Sequence, residues 1–497
     1  MELGKGFAHN TPIQISYLES PMPHIALKTC GVSFGTSGVR GLVSDLTDSI
    51  CYAYAQAFIG AIDKPSKMVI GHDLRPSSPQ ITQACAQACI DLGIEVIYVG
   101  ALPTPAIAYY AMQQGAPAIV VTGSHIPFDR NGIKFYRTEG EITKADEQAI
   151  LAAEIQVPDE LLPAPLPLLD SQAEAAYLQR YTEFFVSDLC AGMRIAIYQH
   201  SGVGRDLLTE LFTQLGAEVL ALGRSDSFVP IDTEAVRPED IEQAQSWANE
   251  HRFDLIVSTD GDADRPLIGD EQGSWLRGDV VGVLCARALG VDTVVTPVSS
   301  NTVLERSNWF ANTSRTRIGS PYVLAGMEEA SGKVAGYEAN GGFLLGSDIQ
   351  RESSTLRALP TRDAVLPMLA LISLAKAAGT PISSLSSSLP ARFTASDRIP
   401  GIPTAWSLER VAELTAGDLG LTELIRLDLG KVESVDTTDG VRTTFVSGEI
   451  VHLRPSGNAP ELRCYVEADD IERAQQLCQQ VLANIATDYQ NSETAAI

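Results

Sequence analysis

Residues 253–265 read Phe-Asp-Leu-Ile-Val-Ser-Thr-Asp-Gly-Asp-Ala-Asp-Arg. The apolar run over 253–258 predicts a buried β-strand, and carboxylates follow it at alternating positions. Carboxylates this close together repel one another unless a cation neutralises them, and hard divalent cations bind oxygen ligands of this kind. We therefore interpret Asp260, Asp262 and Asp264 as metal ligands at the end of a strand.

The acidic loop has two other interpretations. A D-x-D-x-D pattern by itself is as often a solvated acidic turn. An EF-hand loop would run from Asp260 to Glu271, but it needs glycine at its sixth position, where Arg265 stands, and a helix before the loop. The EF-hand is excluded, whereas the acidic turn stays open as an alternative.

Strand-like and helix-like runs alternate on both sides of this stretch, which is typical of a parallel sheet with both faces covered. A Pro-rich linker interrupts the pattern over 157–168, and the restarts suggest three tandem copies of one α/β fold. The C-terminal part differs, with hairpin-like strands around Asp439-Gly440 and an amphipathic helix over 470–485. We predict an α/β protein of three similar domains with a final α+β domain, and a hinge at the Ser-rich segment 383–388.

Composition limits the classes of partner. A chain of 497 residues exceeds one hydrophobic core, so three or four domains are expected. Its hydrophobic content of 45% and charged content of 20% are those of a globular protein. The net charge of −26 argues against nucleic acid or an anionic membrane as a partner, so any anionic ligand needs a local group of cations.

Compartment signals point to the cytoplasm. The eight cysteines form no CxxC motif, which is typical of a reduced protein. Residues 1–28 lack the apolar core of a signal peptide and are interpreted as an N-terminal extension. The longest apolar helix, near 366–375, is too short to cross a bilayer.

A second motif, Thr-Gly-Ser-His-Ile-Pro over 122–127, follows the strand that ends at Val121. The carboxyl ends of parallel strands are where α/β proteins place their ligand sites. Ser124 would act there as a nucleophile or phosphate carrier, although such a turn by itself is more often structural. We predict that the next motif, Asn-Gly-Ile-Lys over 131–134, is a tight turn that places Lys134 near the serine.

Two further turns carry polar groups. Residues 336–342 end a strand with Glu338, Asn340 and two glycines, although in isolation this piece is better explained as an ordinary hairpin or strand-exit turn. Near the C-terminus, a Ser/Gly/Asn turn lies between two arginines that offer forked donors to a phosphate, and its alternative is a basic surface turn. The residues of this second turn are Arg454, Ser456, Gly457, Asn458 and Arg463.

In their order, these motifs resemble those of the α-D-phosphohexomutase family over about residues 33–468. The opening signature of the family is matched by 34–41, which includes Arg40. Three departures are visible: Ile126 stands where asparagine is common, Asn340 and Gly342 replace serine and histidine, and asparagine and alanine follow Gly457 in place of threonine and glutamate.

The resemblance implies four domains around a central cleft, with the last domain as a smaller lid. We expect the extension 1–28 to be followed by domains over 29–165, 170–274, 275–385 and 390–490.

The resemblance also implies an intramolecular phosphotransferase that moves a phosphoryl group between O1 and O6 of a hexose. Ser124 would carry the phosphoryl group as phosphoserine, Mg²⁺ would neutralise its charge, and a hexose 1,6-bisphosphate would be the intermediate. The implied catalytic residues are Ser124, Arg40, Lys134 and His125. The implied metal ligands are Ser124, Asp260, Asp262 and Asp264. The implied substrate-binding residues are Arg265, Glu338, Asn340, Arg454, Ser456, Gly457, Asn458 and Arg463.

The branch of the family that acts on mannose phosphates is the most similar, so we rank mannose phosphate first, glucose phosphate second and glucosamine phosphate third. Two other functions use the same residues: a Mg²⁺-dependent phosphatase, and a sugar-phosphate-binding protein without turnover. We expect a small sugar phosphate as the partner, and a cytoplasmic monomer or homodimer.

Overall fold

A computed structural model of the chain describes residues 24–35, 38–351, 354–416, 420–456 and 460–495. The chain folds into four domains, each built on its own sheet. Helices cover the sheets, and several begin at identifiable caps. Thr47 accepts a hydrogen bond from the Ile50 N–H at one helix start, and Thr143 and Asp146 form a reciprocal capping box at another.

The first domain is built on a mixed sheet. Its strands are β1 (His24–Ala26), β2 (Ser33–Phe34), β3 (Gly38–Leu42), β4 (Lys67–His72), β5 (Glu95–Ala101), β6 (Ala118–Val121), β7 (Arg130–Arg137), β8 (Gly140–Glu141) and β9 (Glu154–Gln156). Its helices are α1 (Asp48–Ala61), α2 (Ser78–Asp91), α3 (Thr104–Gln114) and α4 (Lys144–Ala152). The strand order is β2-β3-β7-β6-β4-β5, with β8 beside β7 and a separate β1-β9 pair. Strands β4, β5 and β6 are parallel, and β7 is antiparallel to β6.

The second domain has a smaller sheet of the same kind. Its elements are α5 (Gln172–Thr182), β10 (Arg194–Tyr198), α6 (Arg205–Gln214), β11 (Glu218–Leu222), α7 (Pro238–His251), β12 (Leu255–Thr259) and β13 (Pro266–Gly269). The order is β11-β10-β12-β13, in which only the β12–β13 pair is antiparallel.

The third domain repeats this arrangement. Its helices are α8 (Gly278–Leu289), α9 (Val303–Arg306), α10 (Ser320–Glu328) and α11 (Val365–Ala378). Its strands are β14 (Thr293–Pro297), β15 (Asn312–Thr316), β16 (Val334–Tyr337), β17 (Phe343–Leu345), β18 (Ile349–Arg351), β19 (Ser354–Leu356) and β20 (Leu359–Asp363). The sheet order is β15-β14-β16-β17-β20, with β18 and β19 as a separate hairpin.

One hairpin recurs in all three domains. A strand that is parallel to its inner neighbour ends in a polar loop, and the next strand returns antiparallel to it. The three pairs are β6–β7, β12–β13 and β16–β17, and their loops carry the serine, acidic and Glu338 motifs. The three predicted copies therefore share a strand topology, and the three motifs lie at equivalent positions in it.

The fourth domain is an antiparallel sheet with helices on it. Its elements are β21 (Phe393–Pro400), α12 (Thr404–Ala416), α13 (Leu421–Ile425), β22 (Val432–Asp436), β23 (Val441–Phe445), β24 (Ile450–Pro455), β25 (Glu461–Ala468) and α14 (Ile471–Ala495). The sheet order is β21-β25-β24-β23-β22. One apolar core runs through the first three domains, whereas the fourth domain packs around a core of its own.

Two local predictions were wrong. The motif 131–134 is not a turn but part of β7, where the Asn131 side chain donates to the hydroxyls of Ser77 and Ser78. The last helix continues ten residues beyond the predicted end at 485, to Ala495. The Ser-rich segment forms two short 3-10 turns, in which Ser383 donates to Glu271 and Ser388 accepts from Arg287, and its role as a hinge stays a prediction.

Within the described residues, no single helix has both the length and the apolar character needed to cross a bilayer. Helix α11 and the 3-10 turns after it reach the required length and composition only as a pair bent by 87°. All eight cysteines are free thiols.

A buried histidine makes the stability of the fourth domain depend on pH. His452 on β24 is stacked against Tyr465, and its Nε2 lies 2.6 Å from the Asp439 carbonyl oxygen. Burial, with help from Arg442, lowers the pKa of His452 from 6.5 to about 4, so the folded protein favours the neutral ring. Stability is then fully present above pH 6.5 and is lost as the pH falls towards 4.

We expect this one group to contribute a fall of about 3 kcal/mol in the free energy of unfolding across that window. Chemical denaturation at several pH values, compared between the wild type and His452→Gln, isolates the contribution of the ring. The difference between the two proteins should change with pH only below 6.5. Parallel stability curves over the whole range would contradict the prediction.

Candidate active site

The serine loop follows β6 and is held in a strained conformation. Ser124 has a φ of 50°, in the left-handed region that a residue with a Cβ seldom adopts. Asp73 fixes the loop by accepting hydrogen bonds from the Thr122 hydroxyl and the Gly123 N–H, at 2.8 and 3.2 Å. As a result, the Ser124 hydroxyl points away from its own strand and donates to Asp260 Oδ2 at 2.5 Å.

A buried arginine, Arg75, holds the backbone of the serine loop in place. The guanidinium of Arg75 donates to the carbonyl oxygens of Ser124 and Ile126 through Nη2, at 3.0 and 2.6 Å. Its Nη1 donates to the carbonyls of Pro127 and Arg130. The cation therefore organises the loop backbone, and no approaching ligand is needed to order it.

The acidic loop lies directly opposite the serine. Asp260, Asp262 and Asp264 are essentially inaccessible to solvent, and each offers a carboxylate oxygen to a group of ligand atoms within 4.8 Å of one another. Lys134 Nζ donates to one oxygen of Asp262 and one of Asp264, both at 2.7 Å. A solvated acidic turn is inconsistent with this burial.

The donor set fits a divalent cation. The Oδ1 atoms of Asp262 and Asp264 are buried, and neither has a hydrogen-bond partner among the described residues. Unsatisfied, buried carboxylate oxygens are costly unless a cation binds them. Burial and the neighbouring carboxylates raise the pKa of Asp260. Burial acts in the same direction on Asp264, but Arg362 and Lys134 outweigh it and hold its pKa below the usual range.

The two loops touch at a glycine. A Cβ at Gly261 would lie 2.5 Å from the carbonyl oxygen of Ser124, so a side chain there would push the loops apart. The glycine between the first two aspartates therefore sets the distance between the nucleophile and the metal ligands.

Cations and a neutral imidazole complete this part of the site. Arg265 Nη1 donates to Nδ1 of His125 at 3.1 Å, and the same nitrogen lies 3.3 Å from the Ser124 hydroxyl oxygen. Burial, Arg265 and Arg40 hold the pKa of His125 well below its usual value, which keeps the ring neutral. Burial, with the neighbouring charges of Arg265 and Arg362, lowers the pKa of the Arg40 guanidinium to about 10.

The third loop joins this arrangement through its own hydrogen bonds. Glu338 and Asn340 are both buried, and the Asn340 side-chain oxygen accepts from the Gly342 N–H at 2.9 Å. Thr233 of the second domain donates to the Asn340 carbonyl at 2.7 Å. The two polar side chains are therefore held at the boundary between the second and third domains.

The C-terminal turn contributes arginines that are paired with carboxylates. Arg454 Nε lies 3.0 Å from Asp439, and Arg463 Nη2 lies 2.8 Å from Glu461. The Ser456 N–H donates to the Glu461 carbonyl oxygen at 2.9 Å. Gly457 and Asn458 lie outside the described residues.

The carboxylate of Glu234 is influenced by charges of two domains. Burial and Asp232 raise the pKa of Glu234, and Arg463 and Arg265 oppose the rise through their charges. Charges of the fourth domain and of the acidic loop therefore both act on this carboxylate.

The structure brings the predicted site residues Ser124, His125, Lys134 and Arg265 into direct contact with one another or with the acidic loop. Sequence reasoning missed Arg75 and Arg362, which touch these groups from other strands and loops. The sequence did contain a signal for Arg75. It stands three residues after the end of β4, at the same edge of the sheet as the serine loop. Arg362 had no such signal, because its partners lie 98 and 24 positions away along the chain.

Comparison with family models gives four consecutive matches. They are the phosphoglucomutase/phosphomannomutase α/β/α domains I, II and III over residues 31–159, 175–273 and 277–393, and the C-terminal domain over 410–484.

Similar proteins have matching lengths. A phosphomannomutase of Salmonella muenchen is 47% identical over 92% of this chain and 96% of its own, and one of Sinorhizobium fredii is 44% identical over 91% and 98%. A phosphoglucosamine mutase of Bacillus subtilis is 27% identical over 92% of this chain and 97% of its own.

Among solved structures, a phosphoglucomutase/phosphomannomutase family protein of Burkholderia thailandensis matches with a TM-score of 0.71. It covers 93% of this chain and 96% of its own at 20% identity, which shows a common fold. The four domain matches and the two similar phosphomannomutases agree with the loops described above. The chain belongs to the phosphoglucomutase/phosphomannomutase family, the α-D-phosphohexomutases.

Proposed function

We propose that this protein interconverts hexose 6-phosphate and hexose 1-phosphate, with mannose as the preferred sugar, through a phosphoserine at Ser124 and a hexose 1,6-bisphosphate. One observation carries the proposal most directly. The Ser124 hydroxyl, in a strained turn, donates to the first of three buried carboxylates, and the Lys134 ammonium donates to the other two. Arrangements of this kind stabilise the charge of phosphoryl transfer.

The acidic loop supports a role for Mg²⁺. Asp260, Asp262 and Asp264 would hold the ion together with an oxygen of the Ser124 phosphate. When bound, Mg²⁺ supplies positive charge that offsets the negative charge of the transferring phosphoryl group.

Residues of the chain account for the proton as well. In the forward step the bond between Ser124 Oγ and phosphorus breaks, and a bond forms between phosphorus and a sugar hydroxyl oxygen. That hydroxyl loses its proton, and the serine oxygen gains one. The unprotonated Nδ1 of His125, 3.3 Å from the serine oxygen, and the Lys134 ammonium are placed to assist this exchange.

The bisphosphate then reorients within the site, and its other phosphoryl group is transferred to Ser124. Arg40 would stabilise the oxygens of the transferring group, and Arg265 would hold His125 and the serine loop in place. The phosphate that is not reacting would bind at the turn of Arg454, Ser456 and Arg463, with the turn residues Gly457 and Asn458.

Sugar recognition is assigned to Glu338 and Asn340. A carboxylate accepts from two vicinal hydroxyls, and an amide both donates and accepts, which suits the O3/O4 edge that mannose and glucose share. The similarity to two proteins named phosphomannomutase supports mannose ahead of glucose and glucosamine as the sugar. The eight free thiols support a reducing, cytoplasmic location.

The test is a ³¹P NMR assay of the full-length protein with Mg²⁺ and a trace of glucose 1,6-bisphosphate. The 1-phosphates of mannose, glucose and glucosamine are supplied in turn. We expect conversion to the 6-phosphate, with the largest kcat/KM for mannose. Free inorganic phosphate would indicate a phosphatase, unchanged substrate would indicate a binding protein, and a preference for glucosamine would overturn only the choice of sugar.

Replacing Glu338 with glutamine should depress the turnover of mannose and glucose phosphates alike. The substitution removes one acceptor and the negative charge that orients sugar hydroxyls, so we expect kcat/KM to fall by about 10-fold to 100-fold. Steady-state kinetics with both sugars measures this. The matched control is Glu329→Gln, an exposed residue of the same domain. A variant that loses activity with only one sugar would place C2 recognition at this carboxylate.

Replacing Arg454 with alanine should weaken substrate binding. Losing one charged hydrogen bond to a phosphate costs about 1.5–3 kcal/mol, so KM should rise by about 10-fold or more while the fold is kept. KM is measured for each sugar phosphate, with Arg473→Ala on α14 as the control from the same domain. If KM were unchanged for every substrate, the unreactive phosphate would have to bind elsewhere.

A further inference from the structure

A fully buried arginine lies where the three α/β domains meet, and the reaction described above does not use it. Arg362 stands on β20, next to the end of the strand, and its side chain is only 1% exposed. A cation at such depth is costly unless carboxylates surround it.

Its guanidinium joins two of the functional loops. Nε and Nη2 donate to Oδ2 of Asp264, at 3.1 and 2.9 Å. Nη1 donates to Oε2 of Glu338 at 3.1 Å. One planar group thus holds a metal ligand of the second domain and the sugar-recognising carboxylate of the third in a fixed relation.

The absence of a side chain at Gly342 leaves room for the side chain of Arg362. A Cβ at Gly342 would lie 2.6 Å from Cδ of Arg362 and 2.8 Å from Cγ. These atoms are in the middle of the side chain, and the guanidinium beyond them is fixed by Asp264 and Glu338. The arginine could not move aside without giving up one of its carboxylates, so only glycine is compatible with it.

We propose that Arg362 is a positioning residue that fixes Glu338 of the sugar loop against Asp264 of the metal loop, and that Gly342 is glycine because it admits this side chain. The inference rests on the proposed function, since Glu338 must face the sugar. Arg362 acts through its two carboxylates, and its planar fork sets the orientation of both.

The first test is a double-mutant cycle with Gly342→Ala, Arg362→Ala and the two combined. Gly342→Ala alone should lower kcat/KM by about 10-fold or more, because the new methyl group displaces Arg362. Arg362→Ala should lower it by about 100-fold, because Glu338 loses its buried partner. The combined variant should be no worse than Arg362→Ala, since the clash is gone. Effects that multiply would overturn the link between the two positions.

The second test separates positioning from general stability. Guanidinium ion at low millimolar concentration should recover part of the kcat/KM of Arg362→Ala, and sodium chloride at equal ionic strength should not. Arg362→Lys, which reaches one carboxylate but not both, should lie between the wild type and Arg362→Ala. If Arg362→Ala does not fold, the cycle is run by thermal unfolding with Glu338→Ala in its place, because the arginine released at Nη1 can then move away from residue 342. Gly342→Ala should then destabilise the protein less than it does in the wild-type background. Absence of guanidinium rescue in a folded Arg362→Ala would overturn the positioning role.

Thermal unfolding keeps the inference distinct from the proposed function. Gly342→Ala should lower the unfolding temperature in the wild-type background and leave it unchanged in the Arg362→Ala background. This result does not depend on the reaction, so a wild-type protein inactive with every hexose phosphate would refute the function and leave the cycle intact. Equal destabilisation in both backgrounds would refute the inference even if the mutase activity is found.

Discussion

Ser124→Ala is expected to abolish mutase turnover, with kcat falling by about 10⁴-fold or more, because the substitution removes the oxygen that carries the phosphoryl group. The fold should be kept, since among the described residues the hydroxyl has hydrogen-bond partners only in Asp260 and His125. Coupled-assay kinetics gives the rate, and intact-protein mass spectrometry before and after incubation with glucose 1,6-bisphosphate shows whether a phosphoryl group is acquired.

The matched control is Ser387→Ala, an exposed serine of the 3-10 turns, which should behave as the wild type. The wild type should gain the mass of one phosphoryl group, and Ser124→Ala should gain none. Substantial turnover by Ser124→Ala, or phosphorylation at another residue in the wild type, would overturn the assignment of the phosphate carrier.

Removal of the metal should be nearly as damaging. EDTA is expected to stop turnover and an excess of Mg²⁺ to restore it, with Mn²⁺ as a substitute, because all the ligands offered are oxygens. Asp262→Asn should lower kcat by about 10³-fold, because it replaces one anionic ligand and leaves Lys134 paired with Asp264 alone. Isothermal titration with Mn²⁺ measures metal affinity without reference to activity.

Asp226→Asn, whose side chain is fully exposed in the same domain, is the control and should bind Mn²⁺ as the wild type does. Circular dichroism of Asp262→Asn should match that of the wild type. Full activity after exhaustive chelation would show that the three aspartates serve another purpose.

Much of this site was accessible from the sequence, because its motifs follow strands. The apolar runs that end at Val121, Ser258 and Tyr337 predict buried strands, and the polar groups that follow them meet at one side of the molecule. The family's motifs at these strand ends supplied the order and the roles.

The rest depended on contacts between distant parts of the chain. Asn131-Gly132 has the composition of a turn, but Gly132 lies against the Val39 backbone in a sheet, and the local pattern does not contain that pairing. The anchoring of the Ser-rich segment was equally hidden, because Glu271 belongs to another domain. Arg362 gave no sign of its role, since an arginine in a strand says nothing about which carboxylates surround it.

The repeated hairpin has a consequence for how such a protein can diversify. Each functional loop is closed by a pair of strands whose backbone hydrogen bonds are indifferent to the residues of the loop. The residues of one loop can therefore change while the strand pairing of all three domains is kept. Gly342 illustrates this, because it stands where the family commonly has histidine and leaves room for Arg362 from the neighbouring strand. A substitution at such a position alters the sugar loop and leaves the strands that carry the serine and acidic loops as they are.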